Sequence, residues 1–258
     1  SSATFSSNTV SNGHAGAVIK LNGFQLTLSG GGATLTNTGS LISSTVSTVG
    51  SGNLNITGVV ATTGTGQLPN VTIGSGGKLT LGAATSVYGD FTLNSSVAGA
   101  LTDGGLILSV YGSTFNRTNN TPGNYTATGT LTFASSTAQQ LNPGGSLVLN
   151  HIVINKGSAE VLTLTASVEA AGNLTITAGS LDLGNFNLNL SGAPSVFSNG
   201  GSAYSTTGVG YVVFMGASGN VTGAGTFGNI LVNLTVAANT VATQSSINFS
   251  GTLYINQG

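Results

Sequence analysis

The side chains that could carry acid–base chemistry are few in this chain and far apart. The 258 residues include two histidines, His14 and His151. The acidic residues number five: Asp90, Asp103, Glu160, Glu169 and Asp182. General acid–base catalysis needs paired groups at one site, and no two of these acids share a short motif. We therefore predict that the chain has no catalytic residue and is not an enzyme.

One enzymatic alternative stays open, a polysaccharide-active β-helix. Because such hydrolases use paired carboxylates, this alternative requires Asp90, Asp103 and Asp182 to meet in one groove. Metal sites also need clustered ligands, and the chain has no cysteine. We expect neither a metal site nor another cofactor. His14 is expected in a loop, and His151 in a strand, facing a turn or the surface.

Three patterns of polar and aromatic residues could serve binding. Alternating threonines at positions 126, 128, 130 and 132 could order water, as in ice-binding solenoids, but an ordinary outward-facing strand is preferred because β-branched residues favour strands. The six tyrosines could stack on sugars. We favour a structural role, in which each ring packs against the protein and the hydroxyl contacts water. The candidate glycosylation sites expected in an exposed loop are Asn116, Asn119 and Asn124.

Charge is the property that departs most from an ordinary domain. Only 3% of the residues are charged, whereas about 25% is typical. Nucleic-acid binding would need a basic stripe and membrane-surface binding a basic amphipathic segment, so neither partner is expected. With a formal net charge of −1, identical copies repel one another weakly, which permits self-association.

The start of the sequence predicts export, and the lack of cysteine is compatible with an extracellular location. The sequence begins at Ser1 and its one methionine is Met215, so we expect that an export signal has been removed. No apolar run reaches the roughly 18 residues that a membrane helix needs. The expected location is extracellular, at the cell surface.

Short alternating runs predict the secondary structure. The stretch GNLTITAGSLDLGNFNLNLSG, from Gly172 to Gly192, places Leu, Ile and Phe on one side and Thr, Asp and Asn on the other, between glycines. Period-two alternation bounded by glycine is typical of half-buried strands. No segment shows a helical period.

The same segments recur at a regular step along the chain. LNGFQLTLSG begins at Leu21, DGGLILSVYG at Asp103 and LGNFNLNLSG at Leu183. Other elements keep the same step and the same order, which indicates about three tandem repeats with a period of about 80 residues.

Many short strands with a repeat predict an all-β parallel β-solenoid, or β-helix. Each repeat would hold four coils of about 20 residues or three of about 27. Outward asparagines are expected to stack and bond along the axis in polar ladders. A β-sandwich or a set of small barrels is the alternative.

The segment from Phe133 to Gly192 resembles the repeats of large secreted bacterial surface proteins. It pairs "LNHIVINKG" with "GNLTITAGSLDLGNFNLNLSG", as in filamentous-haemagglutinin-type adhesins, whose passenger regions are parallel β-helices. The resemblance covers most of the chain from about Leu21 and carries no catalytic residue. It implies an extracellular location and an adhesive or fibrous role.

The ends of the chain suggest how it functions. Neither end shows the polar cap that solenoids need, and residues 1–15 exceed the repeat. We expect residues 1–15 to be an N-terminal extension that can add a strand to a neighbouring subunit, and residues 16–258 to form a single solenoid. The predicted function is an extracellular structural subunit that stacks end to end on copies of itself. The alternative is a stalk or binding module of a large adhesin, with cell-surface glycans or other cells as partners.

Overall fold

The computed structural model describes residues 3–6, 10–12, 18–21, 24–37, 40–42, 52–157, 159–204, 208–215, 218–234 and 239–257. Within them every regular element is a β-strand, and no helix occurs. The strands fall into two compact units, Ser1–Gly129 and Thr130–Gly258.

The first unit contains the strands β1 to β17. Their bounds are β1 Ala3–Phe5, β2 Val10–Asn12, β3 Val18–Lys20, β4 Gln25–Leu28, β5 Gly31–Asn37, β6 Ser40–Ile42, β7 Asn53–Ile56, β8 Val59–Thr63, β9 Gln67–Leu68, β10 Asn70–Ile73, β11 Lys78–Leu81, β12 Thr85–Val87, β13 Phe91–Leu93, β14 Leu101–Thr102, β15 Ile107–Val110, β16 Thr114–Arg117 and β17 Tyr125–Thr126.

The second unit contains the strands β18 to β35. Their bounds are β18 Thr130–Phe133, β19 Gln139–Asn142, β20 Val148–Leu149, β21 His151–Asn155, β22 Val161–Leu164, β23 Val168–Ala170, β24 Leu174–Ala178, β25 Ser180–Asp182, β26 Leu188–Leu190, β27 Ser195–Asn199, β28 Ser202–Tyr204, β29 Val212–Met215, β30 Gly219–Thr222, β31 Thr226–Phe227, β32 Ile230–Leu234, β33 Val241–Thr243, β34 Asn248–Phe249 and β35 Leu253–Gln257.

In both units each strand lies beside the strand three positions along the chain. The first unit has the sheet orders β1-β4-β7-β10-β13-β16, β2-β5-β8-β11-β14-β17 and β3-β6-β9-β12-β15. The second has β18-β21-β24-β27-β30-β33, β19-β22-β25-β28-β31-β34 and β20-β23-β26-β29-β32-β35. The pairs are parallel, as between β7 and β10, so each coil gives one strand to each of three sheets. The predicted all-β parallel β-solenoid is confirmed.

Alternation along each strand builds the core. In β10, Val71 and Ile73 are fully buried while Asn70 and Thr72 are half-buried. The inward side chains stack from coil to coil: the rings of Phe91 and Phe115 lie 5.2 Å apart and nearly parallel. Apolar burial of this kind contributes about 25 cal/mol per Å², which is the main source of stability in a chain with so few charges.

The sequence repeat does not hold a whole number of coils, contrary to the expected three or four. In the second unit, GTLTF forms β18 and its copy GYVVF forms β29, eleven described strands later. Eleven is not a multiple of the three strands in a coil, so β18 and β29 lie in different sheets. The copies GNLTIT and GTLYIN, which form β24 and β35, are separated in the same way.

Part of the predicted N-terminal extension lies among the described residues. In residues 1–15, β1 pairs with β4 and β2 pairs with β5, so both strands extend the sheets of the first unit. The reach of this segment to a neighbouring subunit stays a prediction, as does a single solenoid over residues 16–258.

Candidate functional site: an open apolar edge and two buried polar clusters

The last coil of the second unit leaves its apolar side chains uncovered. Its strands β33, β34 and β35 pair with β30, β31 and β32 and have no described partner on their other edge. Leu253 and Ile255 lie in register with Ile230 and Val232, which are buried. Leu253 itself is 47% exposed and Ile255 64% exposed. These side chains hold core positions, and no further coil among the described residues covers them.

A cavity of about 260 Å³ opens at this edge. Apolar side chains dominate its lining, among them Val221, Ile230, Val232, Phe249, Leu253 and Ile255. Phe249 also ends a row of ring contacts: its centroid lies 6.1 Å from that of Phe227 with the rings tilted, and Phe227 lies 5.0 Å from Phe197 in a T-shaped arrangement. We call β33–β35 and this cavity the open edge.

The first coil of the first unit has exposed apolar residues as well. All three residues of β1 are exposed, Phe5 to 39%, and β1 pairs only with β4 among the described strands. Phe24, just before β4, is 52% exposed. The first and the last described coils therefore both have edge strands with unpaired backbone groups and exposed apolar side chains. Such edges are prone to pair with a strand of another chain.

Asp103 lies at the centre of a buried polar cluster in the first unit. It is fully buried, and its Oδ1 accepts hydrogen bonds from the backbone N–H groups of Gly105 (3.2 Å), Thr128 (2.9 Å) and Gly129 (2.8 Å) and from the Thr128 hydroxyl (2.9 Å). Its Oδ2 accepts from the Tyr125 hydroxyl at 3.2 Å. Gly129 fits here because a Cβ would collide with the Leu106 carbonyl oxygen.

The Asp103 cluster joins residues of neighbouring coils through hydrogen bonds. Burial, followed by the negative charge and hydrogen bond of Asp103, raises the pKa of Tyr125 well above its usual value, so the phenol stays protonated and keeps donating. Both oxygens of Asp103 accept hydrogen bonds, and the side chain is fully buried.

A second buried cluster surrounds Lys156 in the second unit. Lys156 is 4% exposed and Gln139 is 1% exposed. The lysine Nζ donates to Gln139 Oε1 at 2.8 Å and to the Thr137 carbonyl oxygen at 2.7 Å. Gln139 Oε1 also accepts the Ser135 N–H at 3.3 Å. Burial lowers the pKa of Lys156 to about 8, although the negative charge of Glu160 opposes the shift.

The loop of candidate glycosylation sites is held by Arg117. The guanidinium of Arg117, 1% exposed, donates from Nε to Asn124 Oδ1 and from Nη2 to the Thr121 carbonyl oxygen, both at 2.7 Å. Asn124 is fully buried and its Nδ2 donates to the carbonyl oxygens of Ser95 and Asn119, so its expected exposure is wrong. Asn116 is half-buried in β16, so its expected position in a loop is also wrong. Asn119 is half-buried, and the glycosylation of Asn116 and Asn119 stays a prediction.

The other candidate acid–base side chains that the structure describes bond to different groups. His14 lies outside the described residues. His151 is half-buried in β21, where its Nδ1 accepts the Asn173 N–H at 3.0 Å. The half-buried Asp90 accepts the Thr114 N–H at 2.9 Å, and the Glu169 carboxylate accepts the Ser191 hydroxyl. Asp182 Oδ1 accepts the Gly184 N–H at 3.0 Å within its own turn. In the described part of the chain, no three His, Cys, Asp or Glu side chains form a group that could hold a metal ion.

The threonine run and the tyrosines have structural positions. Thr126 ends β17, Thr128 bonds Asp103, and Thr130 begins β18, so the run is not one strand face. Two tyrosine pairs form ring contacts, one stacked at 4.4 Å between Tyr88 and Tyr111.

Residue patterns alone did not reveal Lys156, Gln139 or the cavity at the open edge. The signal available for the edge was the alternating GTLYIN, whose Leu and Ile match core positions of earlier copies. For Lys156 the only signal was a lysine directly after the apolar strand β21 in a chain with four basic residues.

Comparisons with protein-family models, curated proteins and solved structures give no match for this chain. The resemblance to filamentous-haemagglutinin-type repeats therefore stays a prediction. None of the described elements is a helix of the length and apolarity required to cross a membrane.

Proposed function

We propose that this protein is an extracellular structural subunit that assembles end to end into a filament. The observation that carries the proposal is the open edge, where Leu253, Ile255 and Phe249 occupy core positions and remain exposed. The occupant to which we commit is the first coil of a second copy, with β1 as its leading strand.

Three features support a second copy as the occupant. The strands at both extremes are parallel-sheet edges, so the docked coil would continue the stacking that each unit already has. The first coil offers Phe5 and Phe24 as exposed apolar partners. With four basic and five acidic residues in the whole chain, copies meet without strong repulsion. Such a head-to-tail contact is heterologous, and repetition without ring closure gives an open polymer.

The experiment applies electron microscopy and sedimentation to the purified full chain and to variants substituted at the open edge. We expect uniform filaments by negative-stain microscopy from the native chain. Leu253→Lys and Ile255→Lys should each give isolated particles in sedimentation velocity, because a buried unpaired charge costs several kcal/mol at the interface. Asn256→Lys, on the outward face of the same strand, is the matched control and should still polymerise.

A chain without residues 1–15 tests the other partner in the contact. We expect it to remain unassembled because it lacks β1. Filaments from this chain, or from both core-facing lysine variants, would contradict the proposal. Isolated native particles would instead favour the alternative, a stalk or binding module of a large adhesin.

A further inference from the structure

We propose that the side chains of Lys156 and Gln139 join in an intramolecular isopeptide bond, formed by the folded chain itself with release of ammonia. The proposal concerns the interior of the second unit and does not depend on filament assembly.

The two reacting groups are held together in the interior. Lys156 Nζ lies 2.8 Å from Gln139 Oε1, and a C=O bond is about 1.2 Å long, so the amide carbon lies within about 4 Å of the amine. Such fixed contact replaces a bimolecular encounter, which can supply a large part of a reaction barrier. The chain at Gly179 lies close to the start of the lysine side chain, since a Cβ added there would be 2.7 Å from Lys156 Cβ.

The surroundings favour attack by the amine. A buried lysine whose pKa is lowered to about 8 spends an appreciable fraction of time as the neutral, nucleophilic amine. The Ser135 N–H, 3.3 Å from Gln139 Oε1, is placed to stabilise negative charge on that oxygen, as an oxyanion-hole donor does. Both side chains are buried, so water is kept from competing as the nucleophile.

The reaction balances without a further reactant. The neutral Nζ attacks Cδ of Gln139, forming the C–N bond and placing negative charge on Oε1. The proton lost by Nζ passes to Nε2, with the Glu160 carboxylate, which interacts electrostatically with Lys156, as the relay. The Cδ–Nε2 bond then breaks and ammonia leaves. Nothing is oxidised or reduced.

The test is the intact mass of the purified, folded full chain. We expect a mass lower than that of the sequence by one ammonia, and loss of trypsin cleavage after Lys156 even in denaturant. Lys156→Arg should restore the full mass. Lys78→Arg, at a lysine of the first unit, is the matched control and should keep the lower mass.

Two outcomes would overturn the proposal. One is a folded native chain with the full sequence mass and normal cleavage after Lys156. The other is an ammonia loss that persists in Lys156→Arg and whose product reacts with hydroxylamine to form a hydroxamate, which would assign it to succinimides at Asn–Gly pairs such as Asn199–Gly200. Since the first outcome is read on the native chain, a variant that fails to fold leaves the test intact.

Discussion

Asp103, Arg117 and Lys156 are charged residues whose side chains lie in the interior at 0%, 1% and 4% exposure. Each is bonded to neutral groups: Asp103 to N–H and O–H donors, Arg117 to Asn124 and Thr121, and Lys156 to Gln139 and Thr137. Hydrogen bonds to a charged group are worth about 1.5–3 kcal/mol. Asp103 and Arg117, and Lys156 as long as it is not linked to Gln139, therefore each make several hydrogen bonds that hold loops against coils.

Asp103→Asn should destabilise the protein by about 2 kcal/mol, because the neutral amide weakens the bonds to a charged acceptor and turns an N–H₂ group towards neighbouring donors. The denaturant midpoint of unfolding measures the effect. Asp90→Asn, at a half-buried residue that accepts the Thr114 N–H, is the matched control, with an expected cost below about 1 kcal/mol. Equal costs for both variants would refute the special role of Asp103.

At the scale of the element, side chains at coil corners bond the backbone of the next coil. Oδ1 of Asn70 accepts the Asp90 N–H at 2.8 Å, that of Asn173 accepts the Val196 N–H at 2.9 Å, and that of Asn229 accepts the Thr252 N–H at 3.0 Å. The sequence predicted asparagine ladders bonded side chain to side chain. One described pair of asparagines does so, Asn256 Nδ2 to Asn233 Oδ1 at 3.3 Å, but these corner bonds run from side chain to backbone.

Asn173→Ala should cost about 1 kcal/mol, the net value of one hydrogen bond with its partner left unpaired. The local readout is amide hydrogen exchange, which should become faster at Val196. Asn173→Asp keeps the acceptor oxygen and should keep the protection, as Asp90 does for the Thr114 N–H. Unchanged exchange at Val196 in Asn173→Ala would show that the corner bond does not hold the coils together.

At the scale of the whole molecule, the repeat and the coil have different periods. Because eleven strands separate β18 from β29 and three make a coil, related segments occupy different sheets of the second unit. A feature present once in every repeat therefore does not form a row along one face. The sequence repeat by itself therefore does not predict a row of identical side chains along one sheet.

The raised pKa values of tyrosines in both units predict how stability changes at alkaline pH. Burial raises the pKa of Tyr125, with help from Asp103, and also raises the pKa of Tyr111 and Tyr204. The unfolded chain loses phenol protons near pH 10 while the folded chain retains them, so the free energy of unfolding should fall as pH rises above about 10.

Denaturant midpoints measured above pH 10.5 test this expectation. An unlinked Lys156, with its pKa lowered to about 8 from 10.5, would act in the opposite sense below that range. Tyr125→Phe should reduce the fall in stability with pH, whereas Tyr254→Phe, at a tyrosine that is 56% exposed, should leave it unchanged. An identical fall in both variants would exclude Tyr125 as a cause.

The sequence by itself determined the strands, the parallel solenoid and the inward side chains, because alternation between glycine corners is local information that any stacked coil must satisfy. In β10, for example, Val71 and Ile73 could be assigned to the core from their spacing alone.

The tertiary structure decided which turns of neighbouring coils contact one another. The contacts of Asp103 with Thr128 and of Lys156 with Gln139 depend on the lengths of the coils between them, and coil length varies. Leu26 pairs with Leu54, and Leu54 in turn pairs with Val71, so the second of these coils is much shorter than the first. No local pattern specifies that length, so the buried clusters and the cavity at the open edge emerge only when the coils are stacked.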